Sequence, residues 1–280
     1  MFSTFSPLAL DIKVSFRESA RLARLGKFEG IDITWDDHLL NNGSSYIQSI
    51  LATEGLKAGG WELPFNWYQE DISEQKSMLE QYASIASAVG ANRCYTLVRP
   101  GSNEYTFSEN FSFHLKKLSP IAEILAAHGC RLGLGFVGTP SSKKTFSFPF
   151  ISTLSEMQEL SETIGHNAGI LLDSFHWHMS LGTETDISHS SKELFVYVQV
   201  SDCLADFSRE EHPDNQRALP GETGIIDFKS FFKGLQHCGY KGPITPTPFN
   251  ARISAMIIEP AVCLTAGYLL SLLSPEKALS

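Results

Sequence analysis

The chain has 280 residues, 42% hydrophobic and 19% charged, with a formal net charge of −9. That composition describes a soluble globular protein with a large core, and the acidic balance excludes a nucleic-acid-binding surface built on clustered Lys and Arg. The five cysteines, Cys94, Cys130, Cys203, Cys238 and Cys263, are scattered without CxxC spacing, which predicts reduced thiols in a cytoplasmic protein rather than disulfides or a zinc site.

In chain order, short β-branched and aromatic runs alternate with longer segments of helical period. Met1–Val14 lacks a basic start followed by an apolar run, so no leader is predicted. A first strand is predicted at Leu8–Val14 and a helix at Glu18–Leu25. Strand Glu29–Thr34 precedes helix Ser45–Glu54, and strand Leu56–Phe65 precedes helix Glu74–Val89, which stops at Gly90. Strand Arg93–Val98 ends at Pro100-Gly101, and helix Phe111–His128 is closed by Gly129, a common helix terminator. Then follow strand Arg131–Val137 with helix Leu154–Ile164, and strand Ala168–Phe175 with a poorer helix at Ser188–Leu194. Strand Phe195–Asp202 leads through a long loop to helix Phe228–Cys238, and strand Pro243–Phe249 leads to the closing helix Ile253–Leu273. Glu259 and Pro260 interrupt that last apolar segment, which reads as a buried helix and a candidate homodimer surface rather than a membrane span. Eight strand–helix alternations in a chain of this length predict a (β/α)8 TIM barrel. The first strand is not followed by Gly-x-Gly-x-x-Gly, which argues against a doubly wound dinucleotide fold. With no linker and no repeat, residues 1–280 are expected to form one domain.

Chemistry is expected at the carboxyl ends of the strands. Ile170-Leu-Leu-Asp-Ser-Phe-His-Trp-His178 runs an apolar strand into Asp173, with His176 three residues on. That spacing allows a carboxylate–imidazole pair for acid/base work. Arg217, in the long loop, could hold a carboxylate, phosphate or diol through its planar guanidinium. Glu62 ends the third strand as an alternative base, and Trp61 and Trp67 are expected to wall a pocket. Gln199 alternates with Val198 and Val200 and so faces into the barrel, as a substrate ligand or part of a polar layer. Asp202 either faces the site or caps a turn. Blander roles stand beside these. Asp173 could cap a turn or pair with Arg217, His176 could be a satisfied core histidine, and Glu62 could sit in a salt bridge. Arg217 could be solvated, and the tryptophans could be core. Lys143 and Lys144 suit a phosphate or, more simply, water.

Five stretches together resemble the xylose isomerase-like TIM barrels, the sugar phosphate isomerase/epimerase group. They are Leu132-Gly-Leu-Gly-Phe-Val-Gly138, Leu172–His178, Val198-Gln-Val-Ser-Asp202, Arg217-Ala-Leu-Pro-Gly-Glu222 and Pro243-Ile-Thr-Pro-Thr-Pro-Phe249. The resemblance implies a divalent metal on a glutamate of strand five, an aspartate of strand six, a His or Gln of strand seven and a glutamate of strand eight. Carried over by position, Asp173 and Gln199 are retained, but Gly135 and Thr247 stand where the glutamates would be. Two anionic ligands are lost, which leaves at most a weak site for Mn, Mg or Zn, and no cofactor is expected. The reading is therefore an isomerase/epimerase-like enzyme doing metal-independent proton transfer on a small sugar-like or carbonyl substrate. A lyase or dehydratase on a related carbonyl compound, and a catalytically inactive barrel binding a ligand or a protein, are the alternatives. An abasic-site endonuclease of the same fold fits poorly, because the strand ends carry too few His and Glu ligands and the chain is acidic.

Overall fold

The computed structural model describes residues 1–274. Its main sheet is wholly parallel and runs through Lys57–Ala58, Gly30–Ile31, Phe2–Phe5, Pro243–Pro246, Phe195–Val200, Ala168–Asp173, Arg131–Gly135, Arg93–Leu97 and Trp61–Glu62. The two ends of that order are halves of one segment. Lys57–Ala58 pairs with Gly30–Ile31, and Trp61–Glu62 pairs with Arg93–Leu97. Eight physical strands thus close into a barrel, with a seam at Gly59-Gly60, and helices cover its outside.

The seam is mended by a side chain. Gly59 N–H still donates to Ile31 O, but Gly60 N–H turns to the Asp32 carboxylate at 2.9 Å. Asp32 is buried inside the barrel, where its other donors are the hydroxyls of Tyr197 and Tyr95. Tyr197 also bonds Thr245 Oγ1. Tyr95, Leu171 and Tyr197 form a small apolar cluster of their own, apart from the large core between barrel and helices. A register slip between Phe195 and Tyr197 places Val196 over Gly133 and Gly169, as bulges commonly re-aim a side chain.

Several boundaries differ from the sequence reading. The first strand is Phe2–Phe5; Leu8–Leu10 is a 3-10 turn whose Ala9 and Leu10 are buried beneath the rim rather than in the sheet. Helix Asp37–Glu54 starts eight residues before Ser45, because Asp36 caps it through Leu39 N–H and Gly43 absorbs a bend at φ +68°. After strand six come two short helices, Ser174–Met179 and Glu184–Ser188, the second fixed by a reciprocal Thr183–Asp186 cap; Ser190–Leu194 is not helical. The closing segment splits into Ala251–Ser254 and Ile258–Leu273, and the latter buries Ala261, Val262, Thr265, Ala266 and Leu269. Among the described residues, no helix is long and apolar enough to cross a membrane.

Gly60 tests the seam directly. A Cβ there would lie 2.6 Å from the Tyr197 ring and 2.9 Å from Arg93 O. Gly60→Ala is expected to lower unfolding free energy by about 1–3 kcal/mol in urea denaturation, the usual cost of overpacking a closed core. An unchanged midpoint would show that the interior yields there.

Candidate active site

Strand six delivers Asp173 as expected, and the structure joins it to His176 and Arg217. Asp173 Oδ1 accepts from Phe175 N–H at 2.8 Å, capping the helix that follows, and Oδ2 accepts from Arg217 Nη1 at 2.7 Å. Both side chains of that pair are buried. Burial alone would raise the Asp173 pKa, but the Arg217 guanidinium brings it below the ordinary carboxylate range. Arg217 also donates from Nε to Asp214 O at 3.1 Å and from Nη1 to Ser201 Oγ at 3.5 Å. Its carbon lies 4.4 Å from the Phe175 ring centre and 5.2 Å from that of Phe249, so rings flank the cation. The loop that carries it is tied down by Asn250 Nδ2 donating to Arg217 O.

His176 is held neutral between donors. Gly138 N–H stands 3.2 Å from its Nδ1 and Arg217 Nη2 stands 3.1 Å from its Nε2; a neutral ring accepts at one nitrogen only, so the tautomer decides which of the two bonds is made. Asp214 Oδ1, 3.5 Å from Nε2, faces the proton of the tautomer that carries it there. Burial first, and then the Arg217 charge, lowers the His176 pKa. The three residues are brought together, but as a closed knot whose bonds are made internally; both modest roles foreseen for Asp173, cap and ion pair, are realised.

Glu62 sits differently. Its strand partner is Tyr95, and it is exposed in the lining of a concavity of about 360 Å³ at the carboxyl ends of the first four strands. That volume lies at the lower end of the range for small-molecule sites, roughly 300–1,000 Å³. The surrounding protein nevertheless pushes the Glu62 carboxyl pKa up by burial. Ser6, Asp32, Thr34, Trp35 and Tyr95 share the lining. Burial takes the Asp32 pKa up to about 7, against the opposing pull of Gly60 N–H, Tyr197 and Tyr95. Trp35 Nε1–H is buried without a hydrogen-bond partner among the described residues, an unspent donor in the wall of that concavity.

Three expected site residues are placed elsewhere. Trp61 is fully buried on the opposite strand face from Glu62, donating to Ala91 O, and packs on Trp35 and Tyr82 outside the barrel. Trp67 is buried against Tyr68, Phe113 and His114 and donates to Thr96 Oγ1. Neither lines the concavity: alternation sends Trp61 into the outer core, and Trp67 sits in the turn beyond the strand, packed among the outer rings. Asp202 spends its carboxylate on four backbone N–H groups, those of Cys203, Thr223, Gly224 and Ile226, and pins the long loop instead of facing a substrate. Gln199 is half-buried, with Val198 and Val200 in the outer core, as alternation requires. Asp32 and Trp35 were missed. Their signal was the one that singled out Asp173: in Gly30-Ile-Asp-Ile-Thr-Trp35 a buried strand also runs into a carboxylate.

A family model described as xylose isomerase-like TIM barrel matches residues 19–264. The chain belongs to this family. Among curated relatives, the inosose isomerase of Halalkalibacterium halodurans is 25% identical over 198 residues, covering 70% of this chain and 65% of that protein. The inosose isomerase of Bacillus subtilis is 26% identical over 197 residues, covering 70% and 66%. The matched segments thus span just under two thirds of these relatives. Among solved structures, a xylose isomerase domain protein from Alicyclobacillus acidocaldarius superposes with a TM-score of 0.88 at 25% identity over all of both chains. The IOLI protein, solved with a zinc atom, superposes at 0.79 with 19% identity over 98% of each chain, a likeness of fold.

The metal that the xylose isomerase-like resemblance implies does not fit the donors present here. At Gly135 a Cβ would lie 2.6 Å from Leu97 Cδ2 and 2.9 Å from Leu171 Cδ2, so apolar atoms fill the strand-five ligand position. On strand eight, Thr247 offers a neutral hydroxyl, buried and without a partner among the described residues. Asp173, the one carboxylate retained, is engaged by Phe175 N–H and Arg217. A hard dication needs more anionic oxygen than this.

Two outcomes follow. Arg217→Met strands the Asp173 carboxylate in the interior and is expected to cost about 3–5 kcal/mol of stability, partly recovered in Arg217→Met/Asp173→Leu. Chemical denaturation of both variants checks it, and equal losses would mean that the charges are not coupled. For Asp32, the folded pKa of about 7 exceeds the ordinary 3.8. The unfolded chain therefore holds fewer protons across that window, and stability declines as pH rises through it. Asp32→Asn is expected to flatten that slope; thermal midpoints measured from about pH 4 to about pH 7 show whether it does.

Proposed function

We propose that the chain is a sugar isomerase/epimerase-type enzyme that moves a proton within a small carbonyl polyol by carboxyl acid/base chemistry, without a resident metal. The observation that carries this reading is the solvent-reached Glu62 carboxyl, raised in pKa, sharing one concavity with Asp32 and Tyr95 at the strand ends. Barrel enzymes place chemistry at that rim. Two carboxyls tuned toward neutrality are the usual currency of proton transfer near pH 7. The names of the curated relatives, inosose isomerases, and of a fold neighbour, a D-psicose 3-epimerase with a TM-score of 0.73 at 12% identity, point to polyhydroxylated ketones as the substrate class.

In this reading Glu62 takes a proton from the carbon beside the carbonyl. The electron pair moves onto the carbonyl oxygen, which receives a proton from the Tyr95–Asp32 side of the pocket. Glu62 then gives a proton to the former carbonyl carbon while the hydroxyl on the neighbouring carbon returns its proton to the Tyr95–Asp32 side, so the carbonyl re-forms one carbon along with no net change in atoms or electrons. Gln199 supplies a polar contact across the mouth. Arg217 acts as a fixed cation behind Asp173 rather than as a substrate clamp, since its hydrogen bonds are already made within the protein.

A second reading, a barrel that binds a ligand without turning it over, is favoured by the closed Asp173–Arg217–His176 knot, which leaves none of the three free for a substrate. One experiment separates the two. Chelator-treated protein is mixed with inososes and ketoses in D2O, and deuterium incorporation beside the carbonyl is followed by NMR. Enzymatic exchange that survives chelation and drops about 10²–10⁴-fold in Glu62→Gln, with KM little changed, is the expected result. Binding of a ketose without exchange would select the second reading. Exchange restored only by added Mn²⁺ or Zn²⁺ would overturn metal independence.

A further inference from the structure

The opposite end of the barrel holds a second concavity, of about 480 Å³, which takes no part in the chemistry proposed above. Arg93 and Arg131 open two neighbouring strands and are register partners, so they stand side by side at the same level of the sheet. The alternation that turns Tyr95 into the barrel turns Arg93 the same way, and both arginines line this lower mouth. Lys241 joins them from the turn before strand eight, and Lys192 from the turn before strand seven. The one carboxylate in the lining, Glu193, lies 3.5 Å from Lys192, with both side chains largely exposed.

This is an unusual place to gather cations in a chain of net charge −9. Arg131 donates to the carbonyls of Glu193, His166 and Ala168. Carbonyls hold the guanidinium in place without cancelling its charge, and three bonds leave two of its five N–H donors unspent. Among the described residues, Arg93 and Lys241 side chains make no hydrogen bond and no ion pair. Like charges set side by side repel, and the cost is removed when one anion bridges them. Burial lowers the Arg131 pKa, Glu193 pulls it back up in part, and the neighbouring Arg93 charge adds to the lowering.

We infer that the amino-terminal mouth of the barrel is a binding site for a small phosphate-bearing anion, held by the Arg93 and Arg131 guanidinium groups and the Lys241 ammonium. Three cations converging on one mouth suit a tetrahedral oxyanion, whose oxygens can be shared among them, better than a planar carboxylate. The site is separate from the carboxyl-end concavity, and it stands or falls independently of the reaction proposed there.

Calorimetric titration of the whole chain with inorganic phosphate, at ionic strength held constant with NaCl, tests the inference. Saturable one-to-one binding is expected, weakened about tenfold or more in Arg93→Gln and in Lys241→Gln, and unchanged in Glu62→Gln. Lys241 is exposed, so its variant guards against a fold defect in the Arg93 variant. Absence of saturable heat, equal displacement by acetate, or phosphate binding untouched by both variants would overturn the site. Loss of binding in Glu62→Gln alone would move the anion to the other end of the barrel.

Discussion

A barrel must close, and here closure depends on one buried carboxylate. Where the third strand passes from its partner on one side to its partner on the other, the Gly60 N–H would be left without a strand acceptor. Asp32 takes it, and a carboxylate at that depth then needs donors of its own, which Tyr197 and Tyr95 provide from across the interior. Much of the upper barrel follows from this. The rings must reach the middle, Gly60 must stay bare to admit Tyr197, and Tyr95 must share a level with Glu62. The same carboxyl that holds the seam also borders the concavity, so structural and chemical demands meet on one residue. Burial sets its charge: an unpaired anion there is costly, and the group gives way by holding its proton to higher pH.

Across the rim the electrostatics are arranged the other way. Asp173 stays ionised because Arg217 is permanently charged beside it, and His176 is held toward neutrality first by burial and then by the same guanidinium beside its ring. Where the family resemblance implies a divalent ion, this chain has a covalently attached monovalent cation with fixed donor directions. Such a cation orients its neighbours, but it cannot exchange ligands with an incoming substrate as a metal can. With Gly135 and Thr247 contributing no charge, a lone carboxylate is balanced by a single positive charge.

The architecture was legible because helical and strand periods alternate cleanly, and because Gly90 and Gly129 stop their helices as their lack of a side chain allows. Where reading failed, local signals were overruled by position. Leu8–Leu10 is as apolar as a strand but belongs beneath the rim, while the true strand, Phe2–Phe5, is too short to stand out. At the site, the grouping of Asp173, His176 and Arg217 was foreseeable from a strand end and a loop motif, but their engagement with one another was not, since it depends on Asp214 of the same long loop and on Gly138 beyond strand five. Trp61 could have been placed correctly. If Glu62 faces the opening, its neighbour in an extended strand faces away. Asp32 was hidden by the opposite assumption, that the second strand ran on through Thr34; it ends at Ile31.

The bareness of strands five and six has one more consequence. Gly133, Gly135 and Gly169 give that wall of the barrel almost no relief, and Leu97, Leu171 and Val196 lie flat against it. The carboxyl-end concavity lies on the other side, over the ends of strands one to four. Space at the upper mouth is thus gathered beside Asp32 and Glu62, as water collects at the low side of a tilted basin.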